Sequence, residues 1–137
     1  MKIIITITAI LFYKILYSQT TDAHWIYVGK TDKGITCYIR SEVKYRSENN
    51  DIVIWTKYIH KKIKYLGKIY YNATQTSLER FNCGYNESNV FEYVLYDSNG
   101  DIIDSFDDPN AQYKDIIPET FGELMIKKVC EIYNNKK

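Results

Sequence analysis

Apolar and polar residues alternate along most of the chain from His24 onward, with the period of two that is typical of half-buried β-strands. The alternation is clearest where Ile35, Cys37 and Ile39 are separated by Thr36, Tyr38 and Arg40. Runs of this kind, bounded by polar or glycine-containing segments, predict six strands. They cover residues 24–29, 35–40, 52–59, 74–83, 90–96 and 101–106.

Two connections between these strands have a distinctive composition. Residues 60–72 are basic and aromatic together, and their pattern fits either the tip of a long hairpin or a loop. Asn99-Gly100 lies between the last two predicted strands. Because a type I′ turn needs positive φ at both central residues, Asn-Gly predicts a hairpin with such a turn.

The end of the chain has helical rather than strand periodicity. Thr120 and Glu123 have the spacing of a capping box, which predicts the start of a helix. An apolar side follows on the helical wheel: Phe121, Met125, Val129, Ile132 and Tyr133. The sequence therefore predicts an α+β fold, in which one C-terminal amphipathic helix packs on an antiparallel sheet of about six strands.

The first residues have the features of a bacterial signal peptide. Lys2 supplies a positive charge, an apolar run follows, and Ser18 is a small residue suited to the position before a cleavage point. We therefore expect a signal peptide at 1–18 and one mature domain at 19–137. The alternative is a membrane anchor, but the run is shorter than the ~20 residues that a spanning helix needs. Since the segment contains no cysteine, we expect a periplasmic, secreted or cell-surface protein without a lipid anchor.

Charge and cysteine content narrow the function further. The formal net charge of +1 gives no general reason to expect nucleic acid or an anionic membrane as a partner. Cys37, Cys83 and Cys130 all lie in the predicted mature part, and in an oxidising compartment two of the three can pair. The histidines, His24 and His60, form no metal-binding motif, and the chain has no G-x-S-x-G element and no glycine-rich phosphate loop. We expect no catalytic residues, no metal and no cofactor.

Several short motifs occur in an order and spacing that resemble the bacterial surface-adhesin protein E family. They extend over nearly the whole predicted mature chain. The motifs are Trp25-Ile26-Tyr27-Val28-Gly29, Tyr38-Ile39 with Ser41, Trp55, Ser77 ahead of Phe81-Asn82-Cys83, and Ile117-Pro118-Glu119-Thr120-Phe121-Gly122 leading into Val129-Cys130.

This resemblance implies an antiparallel sheet with the C-terminal helix packed on it, and a disulfide between Cys83 and Cys130. Cys37 is then left as a buried, inert thiol between Ile35 and Ile39. The family name implies binding to host surface or matrix proteins. Adhesion depends on surface loops, which the motifs do not cover.

A basic and aromatic segment is the candidate ligand-binding patch. Cations and stacking rings together suit a polyanion such as a sulfated glycan, lipopolysaccharide or nucleic acid. An alternative is a solvated edge strand, on which lysines discourage edge-to-edge pairing. Lys57 precedes the patch, whose residues are Tyr58, His60, Lys61, Lys62, Lys64, Tyr65, Lys68, Tyr70 and Tyr71.

A weaker signal is the D-x-N-x-D pattern of Asp97, Asn99 and Asp101, which resembles part of a calcium loop. Position six of that loop is Ile102 rather than glycine, so an ordinary hairpin turn accounts for it better. The sequence thus favours an exported, non-catalytic binding protein of the bacterial cell envelope, adhesin-like, with an extracellular protein or a polyanionic glycan as partner. The alternatives are a periplasmic structural or interaction protein without a host ligand and, from another class, a hydrolase whose site the sequence does not reveal.

Overall fold

The computed structural model describes residues 24–47 and 51–134. The predicted signal peptide at 1–18 lies outside the described residues. Seven strands and one helix form within the described ranges: β1 Trp25–Lys30, β2 Ile35–Arg46, β3 Asp51–Tyr65, β4 Lys68–Asn82, β5 Glu87–Tyr96, β6 Ile102–Asp107, β7 Lys114–Asp115 and α1 Phe121–Asn134.

The strands form one antiparallel sheet in the order β1-β2-β3-β4-β5-β6, and β7 pairs with the start of β5. Each of β1 to β6 therefore lies beside its neighbour in sequence, as short connections favour. α1 packs across β1, β2 and β4. The predicted fold class is confirmed, with the two-residue β7 as an addition.

β3 and β4 are much longer than the alternation predicted, because they form a hairpin whose pairing runs through to Tyr65 and Lys68. The two residues between them, Leu66 and Gly67, have φ values of 44° and 80°. Positive φ at both central residues is the requirement of a type I′ turn. Of the two interpretations of residues 60–72, the hairpin tip is therefore the correct one.

The predicted type I′ turn at Asn99-Gly100 is wrong. Gly100 has a positive φ of 87°, whereas Asn99 has a negative φ. Gly100 N–H donates to the Asp97 carbonyl at 3.1 Å, and the Asp97 side chain accepts hydrogen bonds from the N–H groups of Asn99 and Asp101. The connection is a type I turn followed by a left-handed glycine, which makes a three-residue hairpin loop.

The core lies between α1 and one face of the sheet. Ile39, Ile54 and Phe81 come from three neighbouring strands and are fully buried against Met125 and Val129 of the helix. At 25 cal/mol per Å², each such side chain contributes about 1.5–3 kcal/mol. Burying these apolar side chains therefore fixes the position of the helix on the sheet.

The N-terminus of α1 departs from the predicted wheel and cap. Phe121 is 44% exposed, and Ile126, which was not assigned to the apolar side, is 3% exposed. Glu123 does reach back over the first turn, but it accepts the N–H of Glu119 rather than that of Thr120. The Thr120 hydroxyl donates to the Ile117 carbonyl at 2.7 Å. The predicted capping box is thus not formed, although the Leu124 N–H still donates to the Thr120 carbonyl at 3.3 Å, and Phe121 lies at the margin of the core.

A disulfide joins the end of β4 to α1 through Cys83 and Cys130, as the family resemblance implied. Cys37 is the free cysteine of the described residues and is fully buried on β2. Burial, reinforced by the nearby Glu79, raises the pKa of the Cys37 thiol to about 11. Because the thiolate is the reactive form, this cysteine is inert at neutral pH.

Candidate functional site

The distal halves of β3 and β4 project beyond the rest of the sheet. β2 follows β3 only as far as His60, and β5 follows β4 only from Thr74 onward. Residues 61–72, here called the arm, therefore pair with each other, and the Lys61 N–H at the base of the arm also donates to the Gly34 carbonyl at 3.2 Å. As a two-stranded ribbon with two open edges, the arm offers side chains to solvent on both of its faces.

The lysines of the arm are all exposed, and the sequence of residues 61–72 contains no acidic residue to neutralise them. Within the described chain, none of these lysines forms an ion pair. Apolar groups accompany them, since Leu66, Ile69 and Tyr71 are 89%, 44% and 59% exposed. The exposed cations are Lys61, Lys62, Lys64 and Lys68.

Tyr65, next to the turn of the arm, lies near a carboxylate on β6. The hydroxyl of Tyr93 donates to Asp104 at 2.6 Å, and hydrogen bonding to Asp104 raises the pKa of Tyr65 as well as that of Tyr93, the latter to about 12. β6 lies three strands away from β3 in the sheet, so the end of the arm is directed towards β6. Asn72, with a φ of 54°, lies at the base of the arm.

Tyr58 does not belong to the exposed patch, which corrects the sequence prediction. It is 3% exposed, its hydroxyl donates to Glu79 at 2.6 Å, and its ring meets the edge of Phe121 at 5.3 Å. Tyr58 occupies the same face of β3 as Ile52 and Ile54, because side chains two apart share a face of a strand. The strand alternation therefore buries it.

His60 marks the boundary between the core and the arm. It is half-buried, and burial lowers its pKa below the ordinary value of 6.5. At neutral pH it is therefore uncharged and adds no cation to the patch. Of the nine predicted patch residues, the arm brings seven together: Lys61, Lys62, Lys64, Tyr65, Lys68, Tyr70 and Tyr71.

A second cation–aromatic cluster, which the sequence prediction missed, lies on the sheet face opposite α1. Lys57 Nζ is 4.5 Å from the ring centroid of Trp25 and 4.9 Å from that of Tyr38, and the Arg40 guanidinium is 5.4 Å from the Trp25 ring. Cross-strand register creates it, since Trp25 pairs with Arg40 and Tyr38 with Lys57. The Lys57 side chain is thus directed towards Trp25 and Tyr38 rather than towards the arm. This orientation can be predicted only when the pairing register of β1, β2 and β3 is known.

A polar cluster inside the core has a different character. Glu79 Oε1 accepts the hydroxyls of both Thr56, at 2.7 Å, and Tyr58. Desolvation raises the pKa of Glu79, although these two hydrogen bonds oppose the shift. Because Thr56 is fully buried and Glu79 is 6% exposed, no substrate reaches this carboxylate. Its role is structural.

Among the described residues, no group of three or more His, Cys, Asp or Glu side chains is arranged to hold a metal ion. At the D-x-N-x-D turn, Asp97 is occupied with backbone N–H groups of its own loop. The single helix of residues 24–47 and 51–134 lacks the length and apolar character needed to cross a bilayer.

Comparison with known proteins gives one match. The sequence model of a family described as Surface-adhesin protein E aligns with residues 25–131. This range begins at β1, ends within α1 and includes both disulfide cysteines as well as the arm. Neither the curated proteins nor the solved structures contain a significant match.

Proposed function

Because the chain belongs to the surface-adhesin protein E family, we propose that it is an exported, non-catalytic binding module of the bacterial cell envelope that attaches to an acidic extracellular macromolecule through the arm. Family membership supports an adhesin-like role at the cell surface. The partner class, a sulfated or otherwise polyanionic glycan or an acidic extracellular protein, follows from the chemistry of the arm.

One observation carries this proposal: four exposed lysines lie on a projecting ribbon that has no acidic residue of its own. Four cations along a short ribbon match the repeated charges of a polyanion, and such contacts weaken as salt rises. The exposed Tyr71 and the half-buried Tyr70 add ring surfaces that stack on sugars or contact apolar parts of a protein. The proximity of Tyr65 to Asp104 limits the freedom that the arm would lose on binding.

The proposal includes export. The signal peptide at 1–18 would bring the domain at 19–137 into an oxidising compartment, where a disulfide such as Cys83–Cys130 persists. Expression in a bacterial host with the chain's own leader, followed by measurement of the intact mass of the exported product, tests this part. Loss of residues 1–18 is the expected result, and a product that keeps them in the membrane fraction would favour the anchor.

Retention on immobilised heparin across a salt gradient tests the role of the arm. The variant Lys61→Gln, Lys62→Gln, Lys64→Gln should elute at clearly lower salt than the wild type. The matched control is Lys30→Gln, Lys33→Gln, Lys114→Gln, which removes three exposed lysines elsewhere and the same net charge. A lower elution salt concentration for the arm variant alone supports the proposal.

An equal fall in the elution salt concentration of both variants would mean that retention depends only on the overall charge of the protein. Weak retention of the wild type at low salt, with no saturable binding to extracellular matrix proteins, would reject the arm as a polyanion site. The chain would then fit the alternative of a periplasmic structural or interaction protein without a host ligand, in which the lysines serve to keep two open strand edges from pairing.

A further inference from the structure

A cavity of about 310 Å³ lies where β5 changes neighbours along its outer edge. β6 accompanies β5 from Glu92 onward, and β7 pairs only with Glu87 and Ser88. Between them, residues 108–113 arch over the edge of β5 without forming a strand. The arch begins where the N–H of Asp108 donates to the carbonyl of Phe91 at 2.7 Å. The cavity lies between this arch and β5.

Asn89 lies in the wall of the cavity and is 5% exposed. Its Nδ2 donates to the Ala111 carbonyl at 2.7 Å. This bond fixes the orientation of the amide, because only the NH₂ end can donate to a carbonyl. The other end, Oδ1, is buried and accepts no hydrogen bond from any described residue. A buried acceptor without a donor is costly, so a hydroxyl that reached it would be strongly favoured.

An aromatic ring lines the same cavity as this acceptor. Phe106 lines the cavity and is 41% exposed. Its ring is stacked on that of Tyr93, with centroids 5.7 Å apart and planes 18° apart, so it is held in place as a flat platform. The C–H face of a pyranose packs on such a ring, as apolar surfaces generally do.

The remaining lining combines the apolar Val90 and Ala111 with polar side chains whose formal charges cancel. Asp108 and Lys114 contribute one charge of each sign, and Gln112 adds an exposed amide. One carboxylate oxygen of Asp108 accepts the N–H of Asn110 at 2.9 Å, and Gln112 Nε2 donates to the Asn110 carbonyl at 2.9 Å. Hydrogen-bonding atoms of both side chains remain for a ligand. Because the charges cancel, a neutral ligand rich in hydroxyl groups fits better than an anion.

We propose that the cavity between β5 and residues 108–114 binds one neutral sugar unit of a glycan, with Phe106 as the platform and Asn89, Asp108 and Gln112 as the hydrogen-bonding residues. Its volume is at the lower end of the range for small-ligand sites. Because Asn89 Oδ1 is covered, a hydroxyl reaches it only when the arch shifts outward. The lysines of the arm lie beyond Thr74, at the opposite end of β5 from Asn89, and none of them lines this cavity.

Titration of the ¹⁵N-labelled chain by NMR tests the site, using the protein exported from its own leader. The probes are D-glucose, D-galactose, D-mannose and N-acetyl-D-glucosamine, with glycerol as a polyol that has no rigid C–H face. The expected result is a saturable shift of amides in residues 88–91 and 106–114 with at least one sugar. A dissociation constant in the millimolar range is expected for so few contacts.

Phe106→Ala should weaken the binding of the sugar by at least about tenfold. Gln112→Ala, a second variant at an exposed residue outside the core, should weaken it as well. Phe121→Ala is the matched control, since Phe121 is exposed to a similar degree, 44%, but lies on α1. The arm variant should bind the sugar as the wild type does. Shifts equal to those with glycerol, shifts that persist in Phe106→Ala, or no saturable shift with any of the four sugars would overturn the proposal.

Discussion

The hydroxyl of Tyr58 donates a hydrogen bond of 2.6 Å to Glu79, and both side chains are buried between the sheet and α1. A carboxyl group whose pKa is raised on folding, as that of Glu79 is, holds its proton more tightly in the folded chain. Its contribution to stability is therefore fully present below the pKa of the unfolded chain, ordinarily 4.5. It is lost as the pH rises from that value through the raised one.

We predict that this loss of stability with rising pH is absent from the variant Glu79→Gln. Urea unfolding at a series of pH values and constant ionic strength should show that the wild type loses free energy of unfolding between pH 4.5 and the raised pKa more steeply than the variant does. Glu42→Gln, an exposed glutamate on β2, is the control and should keep the wild-type slope. Equal slopes in all three proteins would show that Glu79 is not the titrating group.

Removal of the Cys83–Cys130 disulfide should strongly lower the stability of the fold. Closing the loop between Cys83 and Cys130, 47 residues apart, removes denatured-state entropy worth about 4 kcal/mol in the chain-entropy model. Cys130→Ser should therefore lower the free energy of unfolding by roughly that amount under oxidising conditions. Cys37→Ala should leave the bridge intact, and peptide mapping after non-reducing digestion would disprove the pairing if it found Cys37 cross-linked.

A substitution in the turn of the arm should stabilise the paired conformation of the arm. Leu66 has a φ of 44°, a conformation that asparagine adopts more readily than leucine, and its side chain is 89% exposed. Leu66→Asn should therefore stabilise the arm by up to about 1 kcal/mol without removing a core contact. Slower amide hydrogen exchange in residues 61–72 measures the effect, and unchanged or faster exchange would contradict it.

The last turn of α1 contacts β2 through the Tyr133 hydroxyl, which donates to the Arg40 carbonyl at 2.7 Å. Tyr133→Phe keeps the ring in the core but removes the donor, and should cost about 1 kcal/mol. Thermal unfolding measures this change, and Tyr71→Phe on the exposed arm serves as a control that should have no effect. A variant as stable as the wild type would show that water replaces the hydroxyl at no cost.

Alternation was sufficient to predict the sheet but not its length or turns. Ile35, Cys37 and Ile39 revealed β2 directly, because one face of that strand is buried. In the arm, both faces meet solvent, so no burial pattern distinguished a hairpin from a loop. The Leu66-Gly67 turn was missed since leucine rarely adopts positive φ, and Asn99-Gly100 was misassigned because it forms a longer loop.

The candidate site was predicted in part for similar reasons. The lysines of the arm were found by composition alone, whereas Tyr58 was misplaced although its spacing from Ile54 already assigned it to the buried face. Pairings between strands decide which side chains meet, as Trp25 and Lys57 show. The cavity beside Asn89 depends on the arch of residues 108–113, whose path no periodic pattern describes.

The bridge between β4 and α1 has a mechanical consequence when the chain is pulled from its two ends. Tension drawn along the chain crosses from Cys83 to Cys130 through the sulfur atoms, so β5, β6 and β7 bear none of it while the bond is intact. The closed loop also withholds about 160 Å of chain from extension. The cavity beside Asn89 lies within this loop, and its shape is thereby isolated from a load that would first peel β1, β2 and the arm.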